Sequence, residues 1–271
     1  MNRMIGVSTK LEGLTREKFA EYRKNGIGAV EVSVAEFHFD ELDLATVAKE
    51  MRAEGLDTWS FHLRFFPFKI YNIARLNSDE RRFAVEYQRE WIKRAGDEGF
   101  RYAIIHPSGE PISDEKRPEA MKAACESLDL LAEDAKRAGI VLAVENLPRT
   151  CLAKNSAEML QLLDANPYLR SCFDTNHLLQ EDPLAYIEAV KEKIVTLHVS
   201  DYDFINERHW LPLEGKIDWA ELMKGFDDIG YNGVFMYEVP RTAANITREV
   251  PLTPADYVNN HNKLIEIKQS I

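Results

Sequence analysis

Six short apolar runs in this chain end in a side chain that can bind a metal or move a proton, and this repetition limits the folds open to it. His62 follows TWSF, His106 ends YAIIH, Glu145 ends VLAVE, Asp174 follows SCF, His198 lies in IVTLHV and Glu238 ends VFMYE. His177 and Asp201 stand close behind two of them. Runs of this length bounded by turn residues read as buried strands. A carboxylate or imidazole at the exit of a buried strand is costly unless something pairs with it. Taken alone, Asp174 and His177 would more commonly be a helix N-cap and a satisfied histidine. Repeated at six strand ends, the placement points to a cation.

Strands predicted at 3–8, 29–34, 57–62, 102–106, 141–145, 169–174, 194–199 and 233–238 alternate with helical patterns. Thr15, Ser78, Asp182 and Asp218 stand where N-caps belong, and Gly26, Gly55, Gly99, Gly139 and Gly230 where helices end. The last helix is expected over about 254–270. No linker, charge block or low-complexity stretch divides the 271 residues. Eight strand–helix repeats without a break predict parallel strands in a single (β/α)8 TIM barrel spanning residues 1–271. The absence of a GxGxxG after the first strand speaks against a dinucleotide-binding sheet.

In a barrel all strand C-termini meet on one face, so residues scattered along the chain become neighbours. His62, His106, Glu145, Asp174, His177, His198 and Glu238 would then ring one pocket, with His209 in an adjoining loop. Glu31, inside the apolar second strand, faces a polar cavity or forms a buried salt bridge. The aromatic stretch after His62, holding Phe65, Phe66, Phe68 and Tyr71, is either a pocket wall or a subunit interface. The loop 200–216 is long enough to suggest function.

Three cysteines without CxxC spacing leave N and O atoms as the ligands. The net charge of -11 opposes a polyanionic partner, so no nucleic acid is expected. No run approaches the roughly 20 apolar residues of a spanning helix, and MNRMIGVSTK lacks a signal-peptide core. A cytoplasmic protein with no membrane partner is the expectation.

With these residues in place, the chain resembles the xylose-isomerase-like barrel superfamily, most closely its sugar phosphate isomerase/epimerase branch. The resemblance rests on IIHPSG (104–109), VENLP (144–148), FDTNH (173–177), LHVSD (197–201) and HWLPLEGKIDW (209–219). It implies one divalent metal ion (Mn2+, Mg2+, Co2+ or Zn2+) held by Glu145, Asp174, His198 and Glu238. It also implies a small-molecule sugar or sugar phosphate as substrate, and isomerase or epimerase chemistry in carbohydrate metabolism. Glu145 and Glu238 would be the acid/base pair, moving a proton beside a carbonyl through an enediolate.

His62, His106 and His177 would contact substrate. Arg208 and His209 would grip hydroxyls or a phosphate, unless they are a solvated loop pair. The obvious bases for a phosphate near strands seven and eight are Arg208, Lys216 and Arg241. The same superfamily contains inositol-type dehydratases and trinuclear zinc phosphodiesterases of the endonuclease IV type. Glu207-Arg208-His209 imitates the Asp-x-His pair of the latter with a longer acid. A barrel that only binds a sugar or a partner protein is disfavoured by the presence of both glutamates. A homo-oligomer is possible through the aromatic loop.

Overall fold

A computed structural model describes residues 3–9, 13–34, 36–240 and 251–270. Eight strands carry the fold: β1 (Ile5–Thr9), β2 (Ala29–Val32), β3 (Asp57–His62), β4 (Tyr102–Ile105), β5 (Val141–Glu145), β6 (Arg170–Asp174), β7 (Ile194–His198) and β8 (Phe235–Tyr237). Between and after them run α1 (Arg16–Lys24), α2 (Leu44–Ala53), α3 (Phe68–Tyr71), α4 (Ser78–Asp97), α5 (Arg117–Arg137), α6 (Ser156–Leu163), α7 (Pro183–Val190), α8 (Trp219–Asp228) and α9 (Pro254–Gln269). Neighbouring strands are parallel in chain order, and β1 also pairs with β8. The ring closes where Val199 N–H donates to Met236 O (2.8 Å) and Glu238 N–H donates to Val199 O (3.1 Å). The chain is a (β/α)8 TIM barrel, as expected from the alternation.

The differences from the sequence expectation are local. β1 starts two residues late, because Arg3 is turned to pair with Asp227 and Tyr231 O. β8 stops at Tyr237, so Glu238 sits just past the strand. Asn77 rather than Ser78 caps α4, its side chain accepting from Asp79 N and Glu80 N. The aromatic stretch contains the one-turn helix α3. Thr15, Asp182 and Asp218 cap as expected. Among the described residues no helix is long and apolar enough to cross a membrane.

Two-residue periodicity builds the barrel interior. Ile104, Ala143, Cys172, Thr196 and Met236 are fully buried. Each stands two residues before His106, Glu145, Asp174, His198 or Glu238, so each polar side chain rides on the face whose lower position is closed by packing. Trp59 plugs the lower barrel beside Ala29, Val234 and Met236, with its indole N–H donating to Thr196 Oγ1 (2.9 Å). Gly6 is required here, since a Cβ would stand 2.6 Å from Val234 Cγ1. The other face of the strands packs on the helices, as where Phe61 stacks on Trp91 of α4.

Candidate active site

Parallel pairing brings the acids and imidazoles to the same end of the barrel, with Asp174 and His198 in direct register and Glu145 and His62 each opposite a residue two places before the site residue of the next strand. Asp174 pairs with His198 across β6 and β7, Glu145 with Cys172 across β5 and β6, and His62 with Ile104 across β3 and β4. Glu145 is buried at the centre. Its Oε1 lies 3.1 Å from His198 Nδ1, and its Oε2 lies 3.2 Å from His62 Nε2 and 3.1 Å from His106 Nε2. Burial alone would raise this carboxyl, but His198 and His106 hold it well below the usual range.

His198 is anchored from behind, its Nε2 3.0 Å from Glu31 Oε2, which also accepts from Ser60 Oγ at 2.6 Å. Glu31 is fully buried and bonded to Ser8 as well, so it is a buried partner of a base, but that base is on β7 across the barrel and not on a neighbouring strand as expected. With Nε2 committed to Glu31, His198 turns Nδ1 toward Glu145 and Glu238 (3.4 Å). An outer carboxylate fixing the tautomer of an inner imidazole is the usual support of a metal-binding histidine.

The donor set suits a cation. One ligand atom each from Glu145, Asp174, His198 and Glu238 lie within 4.8 Å of one another. Asp174 Oδ2 and Glu238 Oε2 are buried without a hydrogen-bond partner, while Asp174 Oδ1 accepts from Asn176 N at 2.6 Å. Burial, with Glu238 and Glu145 close by, pushes the Asp174 carboxyl well above its ordinary value despite His177. Three crowded carboxylates must take up a proton or share a positive ion. An all-N/O set of this kind suits Mn2+, Mg2+, Co2+ or Zn2+.

A second, outer cluster surrounds His177. Its Nδ1–H donates to Asn146 O (2.8 Å) and its Nε2 faces Glu207 Oε1 (3.1 Å). Burial would lower His177, but Asp174, Glu207 and Glu145 raise it to about 10. The Glu207 carboxylate is held at the same time by Arg149, which also grips Glu110 Oε1 at 2.6 Å. Burial opposes ionisation of Glu207, yet His177 and Arg149 bring it down to about 2. His209 lies at the rim in the left-handed region (φ 49°), its Nδ1 3.2 Å from Glu238 O.

His62, His106, Glu145, His177, His209 and Glu238 line a cavity of about 340 Å³ that is also bounded by Phe39, Arg64, Phe65, Phe66 and Phe68. Such a volume is at the small end of the roughly 300–1,000 Å³ of small-molecule sites. Phe65 stacks on His106 with ring centroids 4.1 Å apart, so the aromatic stretch forms a wall of this cavity.

The structure brings together Glu145, Asp174, His198, Glu238, His62, His106, His177 and His209. It does not bring Arg208 to them: that guanidinium pairs with Asp203 (2.8 Å) beside the Trp210 ring and does not line the cavity. Lys216 is exposed, and Arg241 lies outside the described residues. Asp201 is also no ligand, because it accepts from Tyr202 N, Leu213 N, Ile217 N and Trp219 Nε1 and so ties the loop to α8. Arg64, Glu110 and Arg149 went unmarked in the sequence, where loop bases and acids carry no periodicity to single them out.

Fold and residue pattern together define a class: the chain belongs to the xylose isomerase-like TIM barrel family, whose model matches residues 19–256. Within it, the chain is 25% identical over 181 residues to an uncharacterized protein of Methanocaldococcus jannaschii, covering 64% of this chain and 62% of that one. It is 31% identical over 121 residues to fructoselysine 3-epimerase of Escherichia coli O157:H7, covering 42% of this chain and 44% of that one. The chain therefore spans less than two thirds of these relatives. In fold it is similar to a D-tagatose 3-epimerase-like protein, with a TM-score of 0.82 at 19% identity over 98% of both chains.

Proposed function

We propose that this protein is a divalent-metal-dependent sugar epimerase or isomerase that moves a proton on the carbon beside a carbonyl. The observation that carries the reading is the carboxylate cluster: Glu145 and Glu238 line a cavity of about 340 Å³, with Asp174 and His198 grouped against them and with Asp174 Oδ2 and Glu238 Oε2 buried without a hydrogen-bond partner. The fructoselysine 3-epimerase relative and the epimerase-like fold neighbour support it.

Glu145, Asp174, His198 and Glu238 would hold the ion, which when bound polarises the carbonyl and makes the neighbouring C–H more acidic. Glu145 and Glu238 both line the cavity and come from different strands, so two carboxylates meet a bound sugar from separate positions. One takes the proton as the C–H electron pair moves into the new C=C bond of an enediolate. The other returns a proton to that carbon on the opposite face, which inverts it. His198 and His106 keep Glu145 ionised, His62 helps to orient it, and His177, bonded to Asn146 O and Glu207, holds the Glu207 carboxylate at the cavity wall. The aromatic wall excludes water that would compete for the intermediate.

One observation favours a multinuclear phosphodiesterase instead: His62, Glu145 and His198, and separately His177, Glu207 and His209, also group within ligand distance. Against it, Glu207 already has the Arg149 guanidinium as its counter-ion. Elemental analysis of protein purified without chelator separates the two, with about one ion per chain expected. Ketoses incubated with the loaded enzyme in heavy water should gain deuterium beside the carbonyl. Two or three zinc ions per chain and no deuterium in any ketose would sink the epimerase reading.

A further inference from the structure

Among the described residues, every basic side chain lining the cavity except one faces a carboxylate. Arg149 sits between Glu110 and Glu207, His62 and His106 face Glu145, and His177 faces Asp174 and Glu207. Arg64 has none of this. Its Nε donates to Phe66 O at 3.4 Å and one terminal nitrogen to the Tyr87 hydroxyl at 3.2 Å. Among the described residues, no carboxylate pairs with it. In a chain with 45 acids against 34 basic residues, an arginine facing a cavity without an acid partner is unusual.

The guanidinium is also fixed in place. It lies over the Tyr71 ring at 4.3 Å and within 5.8 Å of the Phe39 and Tyr87 rings. The Gln88 amide ties down its backbone by donating to Arg64 O at 2.6 Å. Aromatic faces hold a guanidinium without neutralising it. Of its five N–H donors, three are left for a ligand. A planar fork held this way takes a carboxylate or phosphate with two parallel hydrogen bonds.

We propose that the substrate carries an anionic group, carboxylate or phosphate, and that Arg64 receives it on the β3 side of the cavity. This rests on the sugar reading of the same cavity. It also relocates the anion site from the loops of β7 and β8, where Arg208 is spent on Asp203. Because the ion-binding cluster and Arg64 bound one cavity, the charged group belongs at the end of the sugar remote from its carbonyl.

The test is calorimetric binding of D-fructose, D-fructose 6-phosphate and D-fructuronate to the metal-loaded wild type, Arg64→Met and Arg64→Lys. The wild type should bind at least one of the two anions about 10- to 100-fold more tightly than fructose, the size of a charge-assisted hydrogen bond. The anion with the larger preference identifies the source of the charge. Arg64→Met should erase the preference, and Arg64→Lys, which keeps the charge and loses the fork, should retain part of it. Should the methionine variant misfold, the lysine variant and the weakening of the preference by added salt still read the subsite. Equal binding of all three ligands, or a preference that survives Arg64→Met, overturns the proposal. Deuterium uptake without charge preference would reject the anion subsite alone. An Arg64-dependent preference without deuterium uptake in any ketose would reject the epimerase reading alone.

Discussion

Two clusters share the top of this barrel and are built from the same residue types, yet they differ in how their charge is balanced. The inner one gathers Glu145, Asp174 and Glu238 around His198 and leaves two carboxylate oxygens with no hydrogen-bond donor, only imidazoles at 3.3 and 3.4 Å. The outer one gathers Glu207 and Glu110 around Arg149 and His177 and satisfies its charges from within the chain. Proximity of acids and imidazoles is therefore a poor sign of a metal site by itself. The better sign is a deficit, meaning buried acceptors that the protein does not pair.

The largest effect expected from this contrast is on turnover. Glu145→Gln should lower kcat for deuterium exchange by about 10³-fold or more, since it removes both a ligand and an acid/base group. Retention of wild-type exchange would remove Glu145 from the mechanism. Asp174→Asn should split two properties that usually move together. Metal affinity should fall by about 10- to 100-fold or more, while the metal-free protein should become more stable. The reason is the sign of its shift. A carboxyl raised in the folded state contributes stability that is complete below its ordinary value near 3.8 and is lost as pH rises through the folded value. The amide removes that loss. Each kcal/mol gained would lift Tm by about 2–4 °C in a chain of this size, and a lower Tm for the metal-free variant would mean that Asp174 is paired after all.

The inner cluster was legible in the sequence because strand geometry exposes it. A charged residue two places beyond a fully buried interior residue, as Glu145 is beyond Ala143, stands out against an apolar run. The same rule misleads at Asp201, which stands two places beyond the buried Val199 as Asp174 stands two places beyond Cys172. Its four donors come from the chain 1 to 18 residues later, three of them from HWLPLEGKIDW, and bind the loop rather than a ligand. Loop bases are harder still. Arg208 beside His209 and Arg149 after VENLP look alike on paper, and only pairing in space sends one to Asp203 and the other across the cavity mouth. Glu31 was visible as an acid inside a strand, but its role behind His198 depends on the barrel bringing β2 and β7 face to face.

The outer cluster can be opened with Arg149→Met. Removing the guanidinium strands Glu110 and leaves Glu207 with His177 alone, and the expected cost is only about 1–2 kcal/mol in unfolding free energy, because solvent screens a pair that is partly exposed. Metal content measured by elemental analysis should stay at the wild-type value if the outer cluster is purely structural. A second ion per chain in this variant would sharpen the contrast differently, since it would mean that Arg149 alone kept the outer acids from binding metal.

The smallest effect, and the one most specific to the outer cluster, is a dependence on acid pH. Glu207 is held at about 2 against an ordinary 4.5, with His177 and Arg149 outweighing its burial. A carboxyl depressed in this way contributes stability that is present above about 4.5 and lost as pH falls toward 2. Glu207→Gln cannot titrate, so the stability gap between wild type and variant should be constant near neutral pH and close progressively below 4.5. Solvent screening limits that gap to about 1 kcal/mol. Urea unfolding midpoints of both proteins across this range give the measurement. A gap that stays constant through the acid range would show that Glu207 keeps its ordinary affinity for protons, and Arg149 would then owe its position to Glu110 alone.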